Sequence, residues 1–118
     1  MQTLAQIRAR NALGQKIAKG QKEGNVLSGF STLVKIDGLL AALAFSCEKN
    51  KNGEIKHKGE YFICEAIAAH LKDEQIRITG RILPRELAEE LASGDATKLR
   101  RATAEALAYL NYLKRFAS

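Results

Sequence analysis

Cys47, His57, Cys64 and His70 are the residues of this chain whose types could hold a metal ion, and Glu86, Glu89 and Glu90 are those that could move protons. The thiols and imidazoles stand 10, 7 and 6 residues apart. Structural zinc sites usually start from two ligands only a few residues apart, and no such chelating pair exists here. Cys64 and His70 also point to opposite sides of one helix. Small buried thiols and a partly exposed histidine need fewer assumptions, so neither a metal nor another cofactor is expected. Glu86, Glu89 and Glu90 share a helix face, and paired carboxylates can do acid–base work. No histidine, cysteine or polar cluster accompanies them, so a solvated acidic face is expected. GxGxxG, Walker and HExxH patterns are missing. Without a nucleophile–base pair, the chain is not expected to be an enzyme.

What remains for function is charge. The 118 residues carry 19 Lys and Arg against 13 Asp and Glu, a net charge of +6. That surplus favours polyanionic partners, though it governs association rather than fold. The loop from Glu48 to Glu60 alternates Lys49, Lys51, Lys56 and Lys58 with Glu48, Glu54 and Glu60, and reads as solvated and mobile. The two cysteines form no CxxC pair and no secretory signal opens the sequence, so a reducing cytoplasm is the expected compartment. The longest apolar run, Gly38 to Phe45, is far short of the ~20 residues that cross a bilayer.

The elements that must present these charges are helical. Ala, Leu, Glu, Lys, Gln and Arg dominate, all good helix formers, and the length suits one domain over residues 1–118 with a modest core. The spacing predicts an all-α, single compact bundle of five to six helices. A first helix is expected from Thr3, as N-cap, to Lys19, followed by a polar linker, Gly20 to Asn25. A second is expected from Ser28 to Cys47, running through Asp37-Gly38, with Leu33, Ile36, Leu40, Leu43 and Ala44 inward. Gly38 would there let a neighbouring backbone come close. A third is expected from Tyr61 to Lys72. "IRITGRI", Ile76 to Ile82, alternates like a strand but has no partner of its kind, so an extended connector is expected. Pro84 opens a short helix that ends near Ser93-Gly94. Asp95 caps a last one reaching Phe116, with Leu99, Ala102, Thr103, Ala106, Leu110 and Leu113 on one stripe and Tyr109 and Phe116 on its flank.

Two stretches carry a resemblance. "VKIDGLLAALAFSCEK", Val34 to Lys49, and "EALAYLNYLKRFA", Glu105 to Ala117, resemble the small all-helical subunit of type III-B CRISPR effector complexes, the Cmr small-subunit family. The residues in question are Gly38-Leu39, Ala42-Leu43-Ala44-Phe45 and Leu113-Lys114-Arg115-Phe116-Ala117. The opening "QTLAQIRARNAL", with Arg8-Ala9, is a weaker echo. Tyr112 stands where the family usually has tryptophan, and a proline common near Leu33 is missing. The resemblance implies a non-catalytic subunit that stacks along the guide–target RNA duplex in antiviral defence. It implies as partners the backbone subunit, the large Cas10-type subunit, further copies of itself, guide RNA and target RNA, with no membrane.

Such a subunit needs cations that neutralise phosphates without reading bases. Arg8, Lys16 and Lys19 on the first helix, and Arg101 and Arg115 on the last, are the expected contacts to RNA backbone or to a neighbouring subunit. Arg101 and Arg115 lie on the face opposite the Leu stripe, ~21 Å apart along the axis. Phe116 is expected to anchor the helix end in the core while Arg115 faces outward. The alternative is a helical adaptor that binds protein only, its basic surface meeting acidic neighbours.

Overall fold

Apolar periodicity and local end signals build six helices among the described residues: α1 (Leu4–Gln15), α2 (Lys22–Asp37), α3 (Leu39–Ser46), α4 (Lys58–Lys72), α5 (Pro84–Ser93) and α6 (Ala96–Phe116). The computed structural model describes residues 1–15 and 22–117; the expected run of the first helix to Lys19 lies outside them. The architecture is an all-α bundle, and the only β pairing among the described residues is an isolated antiparallel bridge between Lys49 and Ile55.

Several ends follow directly from side chains. The Gln6 amide donates to Thr3 Oγ1 at 3.1 Å while the Thr3 amide donates to Gln6 Oε1 at 2.8 Å. This reciprocal box satisfies two amides that the first turn cannot pair. Asp95 Oδ1 accepts the Lys98 amide at 2.8 Å and so starts α6. Pro84 occupies the first turn of α5, with Glu86 behind it.

The expected helix from Ser28 to Cys47 is two helices. Gly38 has φ 91° and ψ 165°, a conformation essentially closed to L side chains, so α2 stops at Asp37 and α3 starts afresh at Leu39. Close approach is not its role, because a Cβ built there meets nothing within 4 Å. The break also resets the helical phase. Leu27, Phe30 and Val34 of α2 are buried with Leu39, Ala42 and Leu43 of α3, whereas Ile36, expected inward, is 75% exposed. Residues 22–25, expected in the linker, belong to α2, which begins at Lys22; Gly20 and Gln21 lie outside the described residues.

The charged loop is a tight turn. Asn50 accepts two amides on its side chain, from Asn52 and Glu54, and the Lys56 amide donates to the Glu48 carbonyl at 2.9 Å. His57 stacks on Phe45 with ring centroids 3.9 Å apart, and α4 starts at Lys58 rather than Tyr61.

α4 and α6 form the centre. Ile63, Ile67 and Leu71 pack with Tyr109, Leu110 and Leu113, all at most 1% exposed. α1 lies along α6 and touches α4, while α5 closes the far side against α3. Tyr109, expected on the flank, is fully buried. Phe116, expected in the core, is 42% exposed, because the inward register after Leu113 falls on Ala117, where the helix ends.

Candidate nucleic-acid interface

Of the cations expected on the first helix, Arg8 lies within α1, and the fold gives it close partners. Arg8 meets Glu105 of α6 with two donors, Nε and Nη2, each 2.8 Å from a carboxylate oxygen. Glu105 Oε2 also lies 2.8 Å from His70 Nε2. Asn11 reaches His70 Nδ1 at 2.9 Å and Asp73 Oδ2 at 3.2 Å with the same amide nitrogen. A carboxylate can only accept, so that nitrogen is the donor. His70 Nδ1 is then the acceptor, and Nε2 carries the proton offered to Glu105. Arg10 completes the chain by donating to Asp73 at 2.7 Å. Tyr109 lies flat on His70, centroids 4.1 Å apart and planes 2° from parallel, and its hydroxyl donates to the Asn11 carbonyl at 3.2 Å.

This network ties α1 to α4 and α6. Burial works against the Glu105 charge, but the hydrogen bonds from Arg8 and His70 outweigh it and hold the carboxyl down to about 2. At Asp73, burial is likewise outweighed by hydrogen bonds from Gln75 and Asn11 and by the Arg10 charge, so its pKa is lowered. Sequence reasoning passed over Glu105, His70 and Asn11 as structural actors. A signal was available: Glu105 is a carboxylate in register with the buried stripe of α6, one residue before Ala106. His70 is 1% exposed, and the partly exposed histidine is His57.

Of the five expected contacts, the fold brings two together. Arg8 and Arg101 line one recess of about 330 Å³ with Leu4, Gln75, Ile76 and Ile78. Arg8 is committed there to Glu105, with 22% of its side chain exposed. Arg101 is exposed and has no carboxylate within 4 Å among the described residues. Arg115 is exposed at the other end of α6, beside half-buried Lys114 and a tilted Tyr112–Phe116 pair 6.2 Å apart. Lys16 and Lys19 lie outside the described residues.

Leu40, Ala41, Ala44, Cys47, Ala88 and Ala92 line a shallow, mostly apolar recess between α3 and α5. Cys64 is buried beneath α3 and α4, and burial pushes its thiol up to about 12, which leaves it inert as a nucleophile. No helix among the described residues is long and apolar enough to cross a membrane.

A cationic helix and an apolar recess fit many small proteins. The deciding observation is that the family model of the CRISPR-associated protein Cas_Cmr5 matches residues 1–118. The chain belongs to that family. As a Cas_Cmr5 protein it is a subunit of a type III-B Cmr effector complex, in agreement with the resemblance carried by Gly38-Leu39 and by Leu113 to Ala117. Comparison with curated proteins found no match, and comparison with solved structures found none either.

Proposed function

We propose that this Cas_Cmr5 chain is the non-catalytic small subunit of its ribonucleoprotein, stacking along the guide–target RNA duplex and touching the phosphodiester backbone without reading sequence. One observation carries the reading: α6 presents Arg101 and Arg115 to solvent on a rigid 21-residue helix whose opposite face is bolted into the core. Guanidinium groups in that setting neutralise phosphates and release counterions, which gives affinity that falls with salt and ignores base identity. A guide-programmed complex leaves base identity to pairing. The partners in this reading are the backbone subunit, the large Cas10-type subunit, further copies of this chain, and guide and target RNA, acting in cytoplasmic antiviral defence.

Charge reversal tests it. R101E/R115E should assemble normally, because both side chains are free of the core, and should weaken target-RNA retention by the complex. Unchanged retention at low and moderate salt removes these two residues from the interface. The protein-only adaptor draws on the apolar recess between α3 and α5. It predicts that a complex lacking this chain holds RNA as tightly as the complete one.

A further inference from the structure

The connector from Ile76 to Ile82 has features that the family reading leaves unused. It is pinned to α4, with the Ile78 and Thr79 amides donating to the Leu71 carbonyl at 2.9 and 3.3 Å. Ile76, Ile78 and Thr79 are buried at 8, 6 and 8%, while Arg77, Gly80 and Arg81 face outward. Between the two isoleucines, Arg77 has φ 51°, the left-handed region that a long side chain seldom occupies. Its surroundings over-determine that strain: its amide donates to the Asp73 carbonyl at 2.8 Å and its Nε to the Glu74 carbonyl at 2.6 Å. Held by Nε, the guanidinium keeps its two terminal amino groups without a partner among the described residues. Strained positions so enforced concentrate where a side chain must be aimed.

What surrounds Arg77 is a second recess, open and polar, of about 520 Å³, lined by Arg77, Ile78, Thr79, Gly80, Arg81, Glu90 and Lys98. Three cations face one carboxylate there. Glu90 is fully engaged: it accepts from Thr79 Oγ1 at 2.8 Å, meets Lys98 Nζ at 2.6 Å and stands 3.5 Å from Arg81 Nε. Its role is to fix Lys98 and Arg81 in place, and a net positive charge remains. Ile78 is a wall both of this recess and of the one that holds Arg8 and Arg101. Lys98 and Arg101 are one helical turn apart on α6, ~4.5 Å along the axis. On the other side of Arg81 the surface turns acidic, with Glu86, Glu89 and Glu90. That confines any polyanion to the path from Arg81 through Arg77 and Lys98 to Arg101.

We infer that this path, centred on Arg77, Arg81 and Lys98, is a binding site for the phosphodiester backbone of RNA. The open shape suits a passing strand better than an enclosed small ligand. The planar guanidinium forks match phosphate oxygens, and the Gly80 amide, unpaired among the described residues, offers one more donor. The inference rests on the RNA-contact reading above and adds residues and a direction to it.

The test uses the complete effector complex with this chain as wild type, as Arg77→Gln with Arg81→Gln, or omitted, and measures target-RNA affinity across a salt series. The Gln pair removes both guanidinium charges and leaves the backbone preference at φ 51° as it was for Arg; because the Arg77 Nε bond to the Glu74 carbonyl goes with it, melting is measured beside affinity. It should lower affinity ~10-fold alike for unrelated guide–target pairs and reduce the slope of log K against log salt by roughly 1.5. If omission weakens RNA binding but the Gln pair leaves affinity and slope unchanged, the recess is wrong and the broader RNA reading stands. If omission itself changes nothing, the broader reading fails with it. A Gln-pair chain that melts like wild type but no longer enters the complex identifies the path as a protein contact and overturns the inference. Should the pair not fold, Arg77→Gln and Arg81→Gln singly are each expected to remove about half of the slope change, and an unchanged slope in both again overturns it.

Discussion

Glu105 and Glu90 are both glutamates of helices held by two cationic or histidine partners, yet they do opposite things. At Glu105 the carboxylate side chain is 9% exposed and His70 is wholly buried, so the charges stabilise the fold from inside. At Glu90 the carboxylate is 19% exposed and its partners Arg81 and Lys98 are 57 and 37% exposed, so the same chemistry sits on the rim of an open recess. The difference teaches that residue type does not separate a structural clamp from a binding surface. Burial does, because charges still in contact with water can exchange partners at little cost, and buried ones cannot.

Removing each carboxylate puts that contrast to the test. Glu105→Ala leaves His70 and Arg8 without their acceptor and should lower stability by about 3 kcal/mol, the lower end of the cost of breaking a buried pair because Arg8 can still reach water. Urea unfolding would show it as a shifted midpoint; a loss below about 1 kcal/mol would place Glu105 in the same class as a surface pair. Acid sharpens the comparison. The folded Glu105 carboxyl lies at about 2 against an ordinary 4.5, so its contribution is complete above pH 4.5 and disappears as pH falls through 2. The stability gap between wild type and Glu105→Gln should therefore shrink across that window, which cancels the other carboxylates by difference. Tyr109→Phe keeps the ring on His70 and deletes the hydroxyl with its bond to the Asn11 carbonyl, for a loss of about 1 kcal/mol in the same unfolding assay. Glu90→Gln should cost at most about 1 kcal/mol, and that small gap from wild type should fade as acid protonates Glu90, whose pKa is held down against burial by the hydrogen bonds from Lys98 and Thr79 and the nearby cations. A larger loss there would make Glu90 a second clamp and weaken the case for an adaptable rim.

Much of the fold was legible because the signals were local. Thr3 with Gln6, Pro84 with Glu86 and Asp95 with Lys98 set helix starts through neighbours three residues away or fewer, and the structure has all three. The Leu stripe of α6 was legible too, through Ala102, Ala106, Leu110 and Leu113. Gly38 misled because its two functions look alike in sequence. An isolated glycine inside apolar periodicity is tolerated in a helix, but here its positive φ ends one helix and starts another. Phe116 misled because hydrophobicity suggests burial, while the end of α6 decides which residue turns inward. At the interface, charge pointed to Arg101 and Arg115, both of which are exposed. It could not distinguish Arg8, bound to Glu105 across 97 positions of sequence, or single out Arg77 and Arg81 from a stretch that read only as a connector.

The sequence by itself determined an all-α chain with a cationic surplus, a family-typical Gly-Leu and Leu-Lys-Arg-Phe-Ala pair, and most helix boundaries. These depend on composition and on contacts within one or two helical turns. Only the tertiary structure decided which cations are locked inside and which remain available at the surface. That outcome depends on carboxylates brought from distant helices and on how much water each pair keeps, and neither is encoded in the spacing of residues along one element.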